Sequence, residues 1–149
     1  HLVLSMKNTD DEAFYVDEAL HSYFNVSDVR EIYVHGLDGA KELDTVRDTQ
    51  GIHEGPLSFT KGRVDSIFDT SNGAIIEDPG FKRRIIIEKE HSASTIVWNP
   101  AESKAADMHH EDWKHFVCVE VGNVRRNALL LRPGQSHWMS LTIKVEELV

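Results

Sequence analysis

Cysteine is nearly missing from this 149-residue chain: Cys118 is the single one, so no disulfide forms within the chain and the fold relies on burial and hydrogen bonding. Its setting, Phe116-Val117-Cys118-Val119, is that of a small buried hydrophobe rather than a nucleophile. Basic residues are also in short supply. Lys and Arg total 16 against 25 Asp and Glu, a formal charge of -9, and no basic run is interleaved with aromatics, so no nucleic-acid partner is expected. There is no apolar run long enough to cross a bilayer and no charged-then-apolar leader, so no membrane role is expected and the cytoplasm is the expected compartment. Repeats, linkers and low-complexity tracts are lacking too, which predicts one domain over residues 1–149.

Helix signals are sparse. Only Ala101 to Trp113 has room for a turn or two, and it lacks an apolar stripe. Two cofactor signatures fail on spacing. In Met108-His109-His110-Glu111-Asp112-Trp113-Lys114-His115 the adjacent histidines lack the i, i+4 spacing of a zinc helix and no cysteine joins them, so no metal is expected. Gly36-Leu37-Asp38-Gly39 lacks the rest of a dinucleotide fingerprint and follows no βαβ pattern, so it reads as a turn.

What the chain does have is a hydrophobic content of 40 %, enough for a packed core, arranged mostly with a period of two. Leu2, Leu4 and Met6 alternate with Val3, Ser5 and Lys7; Met139, Leu141, Ile143 and Val145 alternate with Ser140, Thr142 and Lys144. Both termini therefore read as strands with one buried face. Further strands are expected over Val29 to His35, Arg63 to Phe68, Arg83 to Glu88, Ser94 to Trp98 and His115 to Val121. Turn residues separate them, among them Ser71-Asn72-Gly73, Asp78-Pro79-Gly80 and Arg132-Pro133-Gly134. The pattern predicts an antiparallel β-sandwich or barrel.

Four segments hold groups suited to chemistry. His21 lies among aromatics in Ala19-Leu20-His21-Ser22-Tyr23-Phe24; alone, it could equally be a hydrogen-bonded core residue. Glu120 interrupts the apolar run Phe116 to Val121, and alternation sets it on the face of Phe116 and Cys118, opposite Val119 and Val121. A carboxylate partly buried there is a general base near neutral pH, while one at an edge points to water. Asp65 in Gly62-Arg63-Val64-Asp65 and the Trp98-Asn99 pair supply the acid, indole and amide that sugar sites use, although Asp65 could simply pair with Arg63 and Trp98 could be core.

In this order, the segments resemble the C-terminal half of the hexose-6-phosphate mutarotases, or glucose-6-phosphate 1-epimerases, of the aldose 1-epimerase superfamily. The resemblance rests on Ala19 to Phe24, Val26-Ser27-Asp28, Gly36 to Gly39, Val64-Asp65, Val97-Trp98-Asn99-Pro100, Ala106-Asp107-Met108 and Phe116 to Glu120. It implies an all-β fold, the antiparallel galactose mutarotase-like supersandwich, of which this chain would be the C-terminal half. It also implies interconversion of the α and β anomers of a sugar phosphate without metal or cofactor. Glu120 would take the C1 hydroxyl proton and His21 would protonate the ring oxygen; Asp65 and Asn99 would bind substrate, with a structural role open for Asn99 and Asp107. The phosphate-gripping arginines of the family lie in its N-terminal half. Since the chain starts at His1 rather than Met, the expectation is that an N-terminal part is missing, and that the chain pairs with it or self-associates. The alternative is a carbohydrate-binding or regulatory module of the same fold without turnover.

Overall fold

The alternating apolar residues at the two chain ends meet in one ladder. In a computed structural model that describes residues 1–103 and 108–148, β1 (Leu2–Lys7) pairs antiparallel with β15 (Ser136–Glu147), Leu2 across from Leu141 and Met6 across from His137. β15 continues into β11 (Arg83–Glu90), β10 (Ala74–Asp78), β5 (Tyr33–His35) and β8 (Leu57–Ser58), giving a six-stranded sheet.

A seven-stranded sheet faces it. Its hub is β13 (Phe116–Asn123), the apolar run interrupted by Glu120. On one side β13 pairs with β3 (Glu18–Leu20) and β4 (Tyr23–Asn25); on the other follow β12 (Ser94–Asn99), β9 (Val64–Asp69), β6 (Lys41–Asp44) and β7 (Thr49–Ile52). A separate two-stranded sheet pairs β2 (Phe14–Val16) with β14 (Leu129–Leu131). All pairings among the described residues are antiparallel, as the period-two pattern predicts.

The core lies between the two large sheets. Val34, Ile76, Ile85, Ile87, Met139 and Leu141 from the first meet Phe24, Phe68, Val97, Val117, Val119 and Val121 from the second in one buried cluster. Each such side chain contributes roughly 1.5–3 kcal/mol through burial. Because Val117, Val119 and Val121 point into this core, Cys118 and Glu120 lie on the opposite, outer face of the seven-stranded sheet.

A polar lock ties the sheets at one end. Glu18 on β3 is buried; His137 Nε2 on β15 lies 2.9 Å from its Oε1, and Asn123 Nδ2 donates to the same oxygen at 2.7 Å. Asn123 Oδ1 in turn accepts from the Ala93 backbone N–H at 2.8 Å. The segment running from Glu18 into His21 is thus anchored to both sheets.

One expectation changes. Val29 to His35 is not a single strand: Val29–Glu31 is a 3-10 turn capped by Asp28, whose Oδ1 accepts the Arg30 N–H at 2.9 Å, and only Tyr33–His35 is extended. The cap satisfies a backbone donor that a strand at this point would leave to a neighbour. Ala101 to Trp113 holds no α-helix among the described residues, only the 3-10 turns Ala101–Ser103 and Asp112–His115. Asp107 lies outside the described residues. The Gly36 to Gly39 segment is the expected turn, with φ +93° and +76° at its glycines; a side chain on Gly36 would come 2.4 Å from the Gly73 carbonyl oxygen. No helix among the described residues is long and apolar enough to cross a membrane.

Candidate active site

Four neighbouring strands build one row of side chains on the outer face. Asp65 on β9 pairs with Trp98 on β12, Trp98 with Cys118 on β13, and Cys118 with Tyr23 on β4. Residues directly opposite in antiparallel strands have side chains in contact range, so the row is continuous. Glu120 stands one step along β13 on the same face, across from Ile96.

His21 falls in the two-residue gap between β3 and β4. Leu20 pairs with Val121 and Tyr23 with Cys118, so the register runs unbroken across the gap and sets His21 opposite Glu120. The result is a contact of 3.3 Å between His21 Nδ1 and Glu120 Oε1. The two side chains differ sharply in environment: His21 is 55 % exposed and Glu120 only 8 %.

Desolvation governs the carboxylate. Burial first, and the negative charge of Asp65 second, push the Glu120 carboxyl up to about 7, well above the usual carboxylate range. Asp65 itself is held by Arg63, whose Nη2 is 3.1 Å from Asp65 Oδ2. Cys118, fully buried, has its thiol pushed up by burial and by the Glu120 charge, against a hydrogen bond with the Tyr23 side chain. The thiolate nucleophile that reactive cysteines need is therefore disfavoured, as the apolar setting of Cys118 predicts.

Aromatic rings close the site on one flank. Tyr23 stacks on His21, Trp98 meets both rings edge-on, and Phe116 tilts against Tyr23 and Trp98. Tyr23, named within the histidine motif but given no role from sequence, is the residue that sequence reasoning missed. Its signal was its spacing, two residues from His21 on an extended segment and hence on the same face.

His21, Glu120, Asp65 and Trp98 are therefore brought together, whereas Asn99 is not. It points to the core side of β12 with 1 % exposure. Its Nδ2 donates to the carbonyls of Trp113 at 2.8 Å and Phe116 at 2.9 Å, and its Oδ1 accepts from the Ala101 N–H at 2.9 Å. With its donors engaged and its side chain on the far face, Asn99 does not reach a sugar on the His21 side; what it holds is the turn that brings Phe116 into β13. Beside that turn, Arg30, Arg63, Asn99 and Trp113 help line a cavity of about 590 Å³. Both arginines are paired, Arg30 with Asp28 and Arg63 with Asp65.

The aldose 1-epimerase family matches residues 1–144. A protein of Cenchrus ciliaris named "putative glucose-6-phosphate 1-epimerase" is 32 % identical over 133 residues, covering 86 % of this chain and 40 % of that protein. A protein of the same name from Escherichia coli is 29 % identical over 130 residues, with 83 % and 44 % covered. Among solved structures, a "putative mutarotase" from Salmonella typhimurium superposes with a TM-score of 0.83 at 26 % identity, over 97 % of this chain and 50 % of that one. The chain spans less than half the length of these curated relatives and half the length of this structure. Its all-β sandwich is thus the galactose mutarotase-like architecture anticipated from the sequence, present over about half of its usual extent.

Proposed function

Because the chain belongs to the aldose 1-epimerase family, we propose that it carries the acid–base pair of a site that interconverts the α and β anomers of an aldohexose 6-phosphate. The observation that carries this reading is the 3.3 Å approach of exposed His21 to buried Glu120. Glu120, with its carboxyl at about 7, is the base that takes the proton from the C1 hydroxyl. The C1–O1 bond becomes a carbonyl as the bond from C1 to the ring oxygen breaks, and the electron pair left on the ring oxygen takes a proton from His21. Rotation about C1–C2 presents the other face of the aldehyde. Closure then runs the two proton transfers in reverse, with Glu120 returning a proton to O1 and His21 recovering its own.

Asp65 adjoins the pair and serves as acceptor for sugar hydroxyls, held in place by Arg63. Trp98 offers an indole beside it to cover an apolar sugar face. Asn99 is a positioning residue that acts through the Trp113 and Phe116 carbonyls. The 6-phosphate is taken over from the names of the relatives.

The assembly that works is larger than this chain. Leu2, Ile143 and Val145 continue the inner apolar face of the six-stranded sheet into solvent, and β1 leaves its outer edge unpaired. The other half of the sandwich covers this stripe, or a second copy does so in its absence.

The test is the rate at which freshly dissolved α-glucose 6-phosphate anomerises, read by polarimetry or NMR with this chain and with Glu120→Gln and His21→Asn. Enhancement over buffer that both substitutions abolish supports the reading. Sugar binding without enhancement, in this chain or joined to its other half, leaves a carbohydrate-binding module instead.

A further inference from the structure

Glu120 fixes one atom of His21, which does not fix the plane of the ring. An imidazole more than half exposed, in a gap between two strands, would turn about its χ2 if the 3.3 Å contact at Nδ1 were its only restraint. Two aromatic residues supply what is missing. Tyr23 lies face to face with His21, ring centroids 4.9 Å apart and planes within 4°. Trp98 abuts the same imidazole edge-on at 6.2 Å and 83°. The imidazole is thus restrained on one face, at one edge and at one nitrogen.

Tyr23 is itself immobilised, which a chance surface stack would not require. Its backbone is paired to Cys118 in the β4–β13 ladder, the same β13 that carries Glu120. Trp98 packs edge-on against its ring at 6.3 Å, and Phe116 tilts on it at 5.3 Å. Stack and acid–base pair are therefore referenced to one strand.

We infer that Tyr23 is a positioning residue whose ring clamps the plane of the His21 imidazole, keeping Nδ1 on Glu120 and turning Nε2 outward to the reacting sugar; this rests on reading His21 and Glu120 as the acid–base pair. The two ring nitrogens do different work, and the group that holds one decides which nitrogen is left for substrate. A ring free to turn would spend part of its time with the wrong nitrogen, or neither, at the ring oxygen. Effective proton transfer demands that alignment beforehand.

The experiment uses the full chain, with Tyr23→Phe and Tyr23→Leu checked for an intact melt. The 15N resonances of His21 are followed by NMR at a pH where the ring is neutral. Well-separated Nδ1 and Nε2 shifts, denoting one tautomer, are expected in the parent chain and in Tyr23→Phe, which keeps the stacking face. In Tyr23→Leu the two shifts move toward one another. In parallel, kcat for anomerisation is expected to fall about tenfold or more in Tyr23→Leu while KM stays within about twofold, with Tyr23→Phe close to the parent. Unchanged His21 shifts in Tyr23→Leu overturn the clamp; so does a loss in Tyr23→Phe equal to that in Tyr23→Leu, which would move the role from ring face to hydroxyl. If neither the parent nor any variant accelerates anomerisation, alone or joined to the other half of the sandwich, the acid–base reading falls, while the nitrogen shifts still decide whether Tyr23 orients His21.

Discussion

His21 lies opposite Glu120 in the register of the β3–β4 edge on β13, yet it belongs to neither β3 nor β4. The ladder lapses for two residues and resumes in phase, with Ser22 Oγ donating to the Leu20 carbonyl at 3.2 Å inside the gap. A residue in an unbroken ladder would have its backbone committed to the strand. The gap keeps the cross-strand address of His21 while leaving its imidazole exposed beside a carboxylate that is almost wholly buried.

The pH dependence of the rate follows from that carboxylate. A base must be ionised to accept a proton, and burial together with the Asp65 charge holds the Glu120 carboxyl at about 7. On the reading of Glu120 as the base, the rising limb of the pH–rate profile is expected around pH 7, where its carboxyl ionises, and the rate falls again where His21 no longer carries the proton it donates. Asp65→Asn removes the second of the two causes, so the rising limb moves to lower pH while the larger cause, desolvation, remains. A pH–rate profile of the two proteins reads both effects, with substrate held well above KM so that lost hydroxyl binding does not intrude.

Stability carries the same signature with a definite sign. A carboxyl whose folded value is raised above its unfolded value binds its proton more tightly in the native state, so the native state loses stability as pH rises from about 4.5 through about 7. Glu120→Gln removes the ionisation. It is expected to be close to neutral at pH 4 and to stabilise the fold at pH 8 by up to about 3 kcal/mol, the free-energy equivalent of the shift. Denaturant unfolding at the two pH values checks it. A gain at pH 8 in a protein that has lost activity is the mark of a functional group held at the expense of stability.

Asn99 makes the opposite case, a buried amide that holds structure. Asn99→Ala leaves the Trp113 and Phe116 carbonyls and the Ala101 N–H without their partner. Each buried group left unsatisfied costs about 1–3 kcal/mol. The melting temperature should fall by several degrees, and substrate affinity measured well below the melt should change little. A large loss of affinity with an unchanged melt would move Asn99 to the sugar.

Much of this was legible in the sequence, because period-two alternation is a local signal. It located the terminal strands and set Glu120 on the face of Cys118 and Phe116, where β13 puts it. The core-facing position of Asn99 was not legible because alternation says which residues share a face but not which face is the core; the adjacent Trp98 is the one that looks outward to the site. The Val29–Glu31 turn was hidden because Val29 and Ile32 are β-branched and buried, and only the Asp28 cap distinguishes the turn from a strand. The lock of Glu18, Asn123 and His137 joins residues over a hundred positions apart, and nothing local announces it.

Gly122 tests how closely β3 must approach. It follows Glu120 by two residues on β13, and a Cβ there would sit 2.7 Å from the Glu18 carbonyl oxygen and 3.2 Å from Ala19 Cβ. Neither the backbone oxygen nor the adjacent strand can yield without moving β3. Gly122→Ala is expected to cost about 1–3 kcal/mol in thermal or denaturant unfolding, as overpacked sites do. Since His21 hangs from the end of β3, the substitution should also lower anomerisation in the fraction that remains folded.

Association is the last consequence of spanning half a sandwich. Val145 is 60 % and Leu2 52 % exposed although both continue faces that are buried nearby: Val145 pairs with buried Ile85, and Leu2 with buried Leu141. β1 adds an open edge whose backbone groups face outward. An apolar stripe beside an open strand edge recruits a further strand, so at micromolar concentration the chain should scatter light as a dimer or larger species. Adding the N-terminal half of the sandwich in trans should convert that species to a one-to-one complex with a higher melting temperature. Val145→Lys, placed on the stripe and remote from His21, should shift the isolated chain toward monomer. A monodisperse monomer with a cooperative melt would show that the stripe needs no cover, and with it the proposed pairing would fail.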